Sequence, residues 1–140
     1  MNLAEKQNRY CFVNPEGGSV AIDLFADTDL AAGGDFRVYN PAKDQVLDQV
    51  KLSAENGSHE LKRLKIEPKF LNGAILVWKI LLCSKNIKVY EGRVDIRVFQ
   101  DGSSCKMTLP SAYSPGNIPP CSVNNPASLS GSLVFMAKKL

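Results

Sequence analysis

Apolar and polar residues alternate with a period of two along most of this 140-residue chain. The alternation is clear at residues 93–98, where Val94, Ile96 and Val98 alternate with charged residues, and in "CKMTL" at residues 105–109. A period of two is typical of a β-strand with one buried face. The pattern predicts about nine strands, which we place at residues 9–13, 20–25, 36–39, 45–53, 59–66, 73–83, 87–100, 105–109 and 133–137.

Turn-forming residues separate these segments, at Asn14–Gly18, Gly33–Gly34, Asn40–Pro41, Asn56–Gly57 and Asp101–Gly102. Short strands joined by such turns, without long helical stretches between them, favour a sandwich or barrel over alternating strands and helices. We therefore expect an all-β chain. Residues 1–140 should form one domain, a single-domain antiparallel β-sandwich or jelly-roll-like fold of about eight to nine strands.

Two segments fit the strand pattern less well. Residues 41–52 place Val46, Leu47 and Val50 at spacings that suit a short helix nearly as well as a strand. Residues 59–71 contain helix-forming residues, but Pro68 would end a helix there. We therefore assign the second segment to a strand.

One long stretch predicts the centre of the sheet. Residues 73–83 are apolar on both faces apart from Lys79, as in a strand buried within a sheet. Residues 84–86 are sufficient for a hairpin loop, so residues 87–100 would form the partner strand. Trp78 lies in the most apolar segment and is expected in the core.

The apolar residues of that partner strand change parity. They are odd-numbered at Ile87 and even-numbered from Val94 onwards. Because successive side chains point to opposite faces of a strand, the two sets cannot share one face without an extra residue. Gly92 lies where the parity changes, so we predict a β-bulge at Glu91–Gly92.

A long loop precedes the last strand. Residues 110–126 contain five prolines and few apolar residues, and the segment is too long for a simple turn. Loops of this length are usually functional or disordered. Because a strand follows it, we expect the loop to be internal to the domain.

The four cysteines, at positions 11, 83, 105 and 121, allow three disulfide pairings. No C-x-x-C motif is present, so a zinc ribbon or a thioredoxin-type pair is not supported. Cys11 and Cys83 lie in predicted strands, where a buried free thiol is usual. Cys105 and Cys121 flank the long loop and form the candidate disulfide in an oxidising compartment. Four reduced thiols in a reducing compartment are the alternative.

Charge is unevenly distributed along the sequence. The net charge is +3, but residues 1–60 carry −5 and residues 61–140 carry +8. Opposed charged halves favour a polyanion partner or head-to-tail association. The alternative is that the fold mixes both halves over one surface and removes the asymmetry.

Basic residues are concentrated in two places, and together they predict a binding surface. Arg63 and Lys65 share one face of a predicted strand, whereas Lys62 points to the other. Arg93 and Arg97 lie on the predicted partner strand. If the two groups are adjacent, they form a patch suited to phosphate, sulfate or carboxylate groups. The candidate binding residues are Arg63, Lys65, Lys69, Arg93 and Arg97, and an ordinary solvated face is the alternative.

Catalytic and metal-binding signals are sparse. His59 is the single histidine and is accompanied by no nucleophile motif, so we predict no catalytic residue. Nucleotide-binding glycine motifs are missing, and no cofactor is expected. Asp27, Asp29 and Asp35 lie in one acidic stretch and are the calcium candidates, but they lack the spacing and the distal glutamate of an EF-hand.

These observations predict a non-enzymatic interaction or structural module that acts through protein–protein contacts, including roles in an assembly such as a viral or phage particle. A protein partner or self-association is expected, and nucleic acid is not, because roughly four clustered charges are too few for tight binding of DNA. The alternative is a carbohydrate- or polyanion-binding, lectin-like domain. The longest apolar run is too short to span a membrane. A secreted or virion-associated location is favoured slightly over the cytoplasm.

Overall fold

A computed structural model describes residues 9–85, 93–109 and 118–137 and contains two β-sheets. The strands are β1 (Tyr10–Val13), β2 (Ala21–Ala26), β3 (Leu30–Asn40), β4 (Gln45–Glu55), β5 (His59–Arg63), β6 (Ile75–Ser84), β7 (Val94–Gln100), β8 (Ser103–Leu109) and β9 (Ala127–Ala137). A 3-10 helix spans Pro68–Phe70, and no helix in the described ranges is long and apolar enough to cross a membrane. The predicted all-β sandwich-like fold is confirmed.

The two sheets contain five and four strands. The five-stranded sheet has the order β1-β9-β6-β3-β4, and the four-stranded sheet has the order β5-β2-β7-β8. Neighbouring strands are antiparallel except β1 and β9, which are parallel. Both sheets contain strands from the acidic first part and from the basic second part of the sequence. The fold therefore mixes the two charged halves rather than separating them.

The core lies between the inner faces of the two sheets. On β2, Ile22 and Leu24 face inwards, and on β6, Leu76, Trp78 and Ile80 do the same. The alternation in the sequence places these side chains on one face of each strand, and their burial away from water stabilises the packed sheets. The predicted burial of Trp78 is confirmed.

Strand β6 is buried on one face only, and the prediction of two buried faces is wrong. Val77 and Leu81 are 42% and 44% exposed, because they point to the outer side of the five-stranded sheet. A strand in a two-layer sandwich has one face against the core and one face towards solvent. In the described part of the chain, no third layer covers this outer side.

The predicted hairpin of residues 73–83 and 87–100 is also wrong. Strand β6 pairs with β3 and β9, whereas β7 pairs with β2 and β8 in the other sheet. Strands β6 and β7 therefore lie in different sheets, and the apolar faces of both strands point to the core. The bulge predicted at Glu91–Gly92 lies outside the described residues.

Two of the predicted turns adopt the backbone conformation that their residues favour. Asn56 and Gly57 have φ angles of 52° and 80°, and Asp101 and Gly102 have φ angles of 49° and 81°. Two consecutive left-handed residues are typical of the tight turn in a β-hairpin, and Asn-Gly and Asp-Gly are the preferred pairs. The second turn joins β7 to β8.

The disulfide prediction requires a correction, because Cys121 is bonded to Cys83 and not to Cys105. The end of the long loop lies along the end of β6, where the Ser84 nitrogen donates to the Pro119 oxygen and the Cys121 nitrogen donates to the Ser84 oxygen. These contacts bring the two sulfur atoms together. Cys11 is disulfide-bonded as well, so the expectation of free thiols at positions 11 and 83 is wrong.

We predict that Gly131→Ala destabilises the protein, because Gly131 faces Trp78 across β6 and β9. A Cβ atom at this position would lie 2.6 Å from the indole ring, which is rigid and cannot move aside. Overpacking of this kind costs about 1–3 kcal/mol in the free energy of unfolding, measurable by urea denaturation.

Gly33→Ala is the matched control, since Gly33 also lies in a strand of the five-stranded sheet but has no atom within 4 Å of an added Cβ. This variant should be neutral or more stable by up to about 1 kcal/mol. Equal destabilisation by both substitutions would contradict the packing argument.

We predict that the double variant Cys83→Ser/Cys121→Ser folds but is less stable. The bridge closes a loop with a sequence separation of 38 residues, and its loss should cost about 4 kcal/mol in the chain-entropy estimate. Urea denaturation of both proteins without reductant gives this difference. Replacing both cysteines avoids an unpaired thiol, and unchanged stability would show that main-chain contacts alone hold the segment.

Candidate functional site

The outer face of the four-stranded sheet carries three of the five predicted binding residues, Arg63, Arg93 and Arg97. In β2, Asp23 and Phe25 point outwards because Ile22 and Leu24 point to the core. The strand register then places His59 of β5 opposite Phe25. Across the other edge of β2, residues Asp95 and Arg97 of β7 lie opposite Phe25 and Asp23.

A histidine–carboxylate pair lies near the centre of this face. The Nδ1 atom of His59 is 2.6 Å from Oδ1 of Asp23, whose side chain is only 8% exposed, whereas the imidazole is 65% exposed. A carboxylate accepts hydrogen bonds, so Nδ1 carries the proton in this contact. The Nε2 atom makes no hydrogen bond within the described ranges and is available to a ligand.

A second carboxylate is held by an arginine. The Nε atom of Arg93 is 3.5 Å from Oδ2 of Asp95, and the Asp95 side chain is 3% exposed while that of Arg93 is 54% exposed. The guanidinium carbon of Arg93 also lies 5.9 Å from the centre of the Phe25 ring, within the range of a cation–π contact. Arg93 therefore contacts both Asp95 and Phe25 at the surface.

Two further arginines complete the face. Arg97 lies opposite Asp23, and Arg63 lies opposite Ala21 on the other side of β2. The Nη1 atom of Arg63 donates to the Ser19 hydroxyl at 3.1 Å. From the spacing of strands and the rise per residue, the Cα atoms of Arg63 and Arg97 are about 12 Å apart. We call the surface formed by His59, Arg63, Arg93 and Arg97 the arginine face.

The charges of the arginine face are layered. Both carboxylates, Asp23 and Asp95, are buried and paired with a cationic or hydrogen-bonding side chain. The side chains of His59 and Arg93 are exposed above them. A group that approaches from solvent therefore meets nitrogen donors before it meets carboxylate oxygens, and the face suits an anionic ligand.

The predicted binding residues Lys65 and Lys69 lie elsewhere. Strand β5 ends at Arg63, and the main-chain nitrogens of Lys65 and Ile66 then donate to Oδ2 of Asp48 at 2.6 and 3.1 Å. This contact turns the chain away from the sheet. Lys69 pairs with Glu67 at 3.2 Å.

Lys65 and Lys69 line a pocket of about 450 Å³ beside the arginine face. Ser19, the hydrogen-bond partner of Arg63, lines the same pocket and connects the two surfaces. The loop before Ser19 is held by Gln100, whose amide bonds to both main-chain groups of Asn14 at 2.7 Å. Glu16 and Glu67 also line the pocket, so its charge is mixed.

The structure does not bring the calcium candidates together. Asp27 and Asp29 lie in the turn between β2 and β3, whereas Asp35 lies within β3 on the outer side of the other sheet. The carboxylate of Asp35 contacts Arg37 at 3.2 Å and the Gln49 amide at 2.8 Å. Among the residues that the structure describes, no three potential ligands form a metal-binding group.

Sequence reasoning did not identify the role of Phe25, or the pairing of Asp23 with His59 and of Asp95 with Arg93, beneath the arginine face. Each aspartate stands in the middle of an alternating strand, where a carboxylate must find a partner or lose hydration at high cost. The location of each aspartate within a strand was therefore the sequence signal that could have indicated a paired carboxylate. The partners themselves were not visible, because His59 and Arg93 reach the aspartates only through the strand register and local geometry.

Comparison with known proteins gives this chain no relatives: no family model, curated protein or solved structure matches it.

Proposed function

We propose that this protein is a non-enzymatic β-sandwich interaction module that binds acidic groups of a protein partner through the arginine face. One observation carries the proposal. The carboxylates of this face are buried and paired, whereas the cationic and imidazole groups project towards solvent. Such a layered arrangement attracts carboxylates and repels other cations.

The chemistry of the face suits carboxylate recognition. A guanidinium presents a planar fork of N–H donors that matches the two oxygens of a carboxylate. Arg93 is held by Asp95 and Phe25 before any ligand arrives, so less side-chain freedom is lost on binding. The Nε2 atom of His59 adds a hydrogen-bonding position beside the arginines.

The number and spacing of the charges favour an acidic peptide segment over nucleic acid. Arg63 and Arg97 are about 12 Å apart across the sheet, which corresponds to about four residues of extended chain. Three arginines would neutralise few phosphates, and tight binding of DNA at physiological salt requires more. An extended segment with two or three acidic residues fits this spacing.

In the described ranges, no hydroxyl or thiol side chain is hydrogen-bonded to His59, which supports a binding role rather than a catalytic one. Catalytic histidines activate a hydroxyl or thiol within hydrogen-bond distance. In the described ranges, the hydrogen bond of the imidazole goes to Asp23, and no serine, threonine or cysteine side chain bonds to it. The hydrogen bond between His59 and Asp23 orients the imidazole, so that its Nε2 atom can bind a ligand at the surface.

An acidic glycan is the second candidate ligand. The pocket lined by Lys65 and Lys69 adjoins Arg63 through Ser19, so a polymer with sulfate or carboxylate groups could extend from the arginine face into it. The mixed charge of the pocket, which includes Glu16 and Glu67, makes this ligand less suitable than a peptide. The disulfide between Cys83 and Cys121 favours an oxidising compartment for either function.

We predict that the double variant Arg63→Glu/Arg97→Glu binds an acidic peptide at least about tenfold more weakly than the wild type. Two reversed charges replace attraction with repulsion, and tenfold corresponds to about 1.4 kcal/mol. A fluorescent ten-residue peptide of alternating Asp and Gly is the probe, and anisotropy is measured at low and at physiological salt. Added salt should weaken wild-type binding in the same direction.

The control variant is Lys43→Glu/Lys51→Glu, which makes the same change in net charge at exposed positions outside the arginine face. It should bind the peptide nearly as the wild type does. Equal loss in both variants would show that only net charge matters, and no loss in either would refute the arginine face. A heparin column run with the same proteins separates the two candidates, since retention without peptide binding favours the glycan.

A further inference from the structure

Among the described residues, no strand pairs with the side of β1 that faces away from β9. Strand β1 lies at the end of the five-stranded sheet, and the Val134 nitrogen of β9 donates to the Arg9 oxygen at 2.8 Å. In a parallel ladder, alternate residues of a strand bond to the same neighbour. The main-chain groups of Tyr10 and Phe12 therefore face away from β9, and the described part of the chain supplies no hydrogen-bond partner to them.

The opposite edge of the same sheet, β4, is covered. The Lys51 oxygen accepts from Nζ of Lys62 at 2.8 Å, and the Ser53 nitrogen donates to Oε1 of Glu60 at 3.0 Å. The Glu55 nitrogen donates to the Ser58 hydroxyl at 3.1 Å. Side chains thus occupy the outward main-chain groups of β4, which is one way in which proteins protect a sheet edge.

The side chains of β1 offer no such protection. Tyr10 and Phe12 are 53% and 64% exposed, and the strand sequence "YCFV" contains no charge and no proline. On the outer side of the sheet, the register places Tyr10 beside Val134 and Phe12 beside Met136. Open main-chain groups and apolar side chains therefore coincide on two residues, a combination that favours addition of another strand.

We propose that β1 pairs in an antiparallel manner with β1 of a second copy of this chain, about a two-fold axis at Cys11. In this register Tyr10 of each copy lies opposite Phe12 of the other. The outward N–H and C=O groups of these two residues then form four hydrogen bonds, and the side chains form two aromatic cross-strand pairs. The two five-stranded sheets join into one continuous sheet.

A second copy fits this edge because the edge is self-complementary. The same two residues supply the donors and the acceptors, as a two-fold interface requires. Arg9 would lie opposite Val13 of the partner copy rather than opposite another arginine, so like charges do not face each other. The interface between two four-residue strands is small. We therefore expect a dissociation constant of the dimer in the micromolar range or weaker.

The inference is tested by sedimentation equilibrium of the wild type from micromolar to near-millimolar concentration. The apparent mass should rise from the monomer value of 15.3 kDa towards twice that value. Phe12→Pro should keep the protein monomeric, because proline removes an outward N–H that β9 does not use. Val46→Lys is the control, since Val46 is an exposed residue of β4 in the same sheet, and it should dimerise as the wild type does.

Two matched double variants test the register and do not depend on the proline variant folding. Tyr10→Lys/Phe12→Lys places lysines opposite each other in the proposed dimer, whereas Tyr10→Glu/Phe12→Lys places opposite charges together. Both remove the same aromatic rings. The first should be monomeric, and the second should associate at least about tenfold more tightly than the first, since two complementary pairs replace two repulsive ones.

Three results would overturn the inference. The first is a wild type that stays monomeric throughout the concentration range. The second is a double-lysine variant that dimerises as the wild type does. The third is equal association of the two double variants, which would exclude the antiparallel register. Circular dichroism of each variant confirms that the sheets are intact. Because β1 contributes no residue to the arginine face, failure here leaves the proposed function untouched, and loss of peptide binding would not affect dimer formation.

Discussion

The packing of the two inner sheet faces on each other is the contact on which the rest of the structure depends. Successive side chains of a strand point to opposite faces. Burial of Ile22 and Leu24 against the core therefore directs Asp23 and Phe25 to the outer side of the four-stranded sheet, and burial of Ile96 directs Asp95 and Arg97 to the same side. The arginine face exists because the core leaves these residues no other direction.

The two buried carboxylates illustrate how a sandwich can carry charge on an otherwise ordinary sheet. Removing a carboxylate from water costs several kcal/mol unless a partner compensates. Asp23 is compensated by His59 and Asp95 by Arg93. Breaking one member of such a pair leaves the other uncompensated, so the pairs hold both partners in place. The cost of burial therefore favours the contacts that His59 and Arg93 make with the two aspartates.

Much of the fold follows from the sequence, but the pairing of the strands does not. The alternation in "VAIDLF" correctly assigns inward and outward residues of β2, and the Asn56–Gly57 and Asp101–Gly102 turns match their chemistry. A period of two, however, does not specify which strands are neighbours. That ambiguity produced the wrong hairpin between residues 73–83 and 87–100.

The same ambiguity limits what the sequence says of the functional site. Parity shows that Arg63 and Lys65 could share a face, but β5 ends at Arg63, and the main-chain nitrogens of Lys65 and Ile66 donate to Asp48 instead of continuing the strand. Arg97 joins Arg63 only because β2 lies between their strands. The Cys83–Cys121 bridge likewise depends on the loop lying along β6, a contact between segments that no local pattern encodes.

The positions of the two sheet edges relate the proposed dimer to the arginine face. The covered edge β4 contacts β5 through side chains of Glu60 and Lys62, so β5 and Arg63 lie at the side of the sandwich opposite to β1 in strand order. Pairing through β1 therefore leaves the arginine face of each copy uncovered. A dimer with two such faces would bind a repeated acidic segment more tightly than one face does. Binding at the first face raises the effective concentration of the segment at the second face. Weak dimer formation through β1 and weak peptide binding at the arginine face would in this way strengthen each other, without any additional contact.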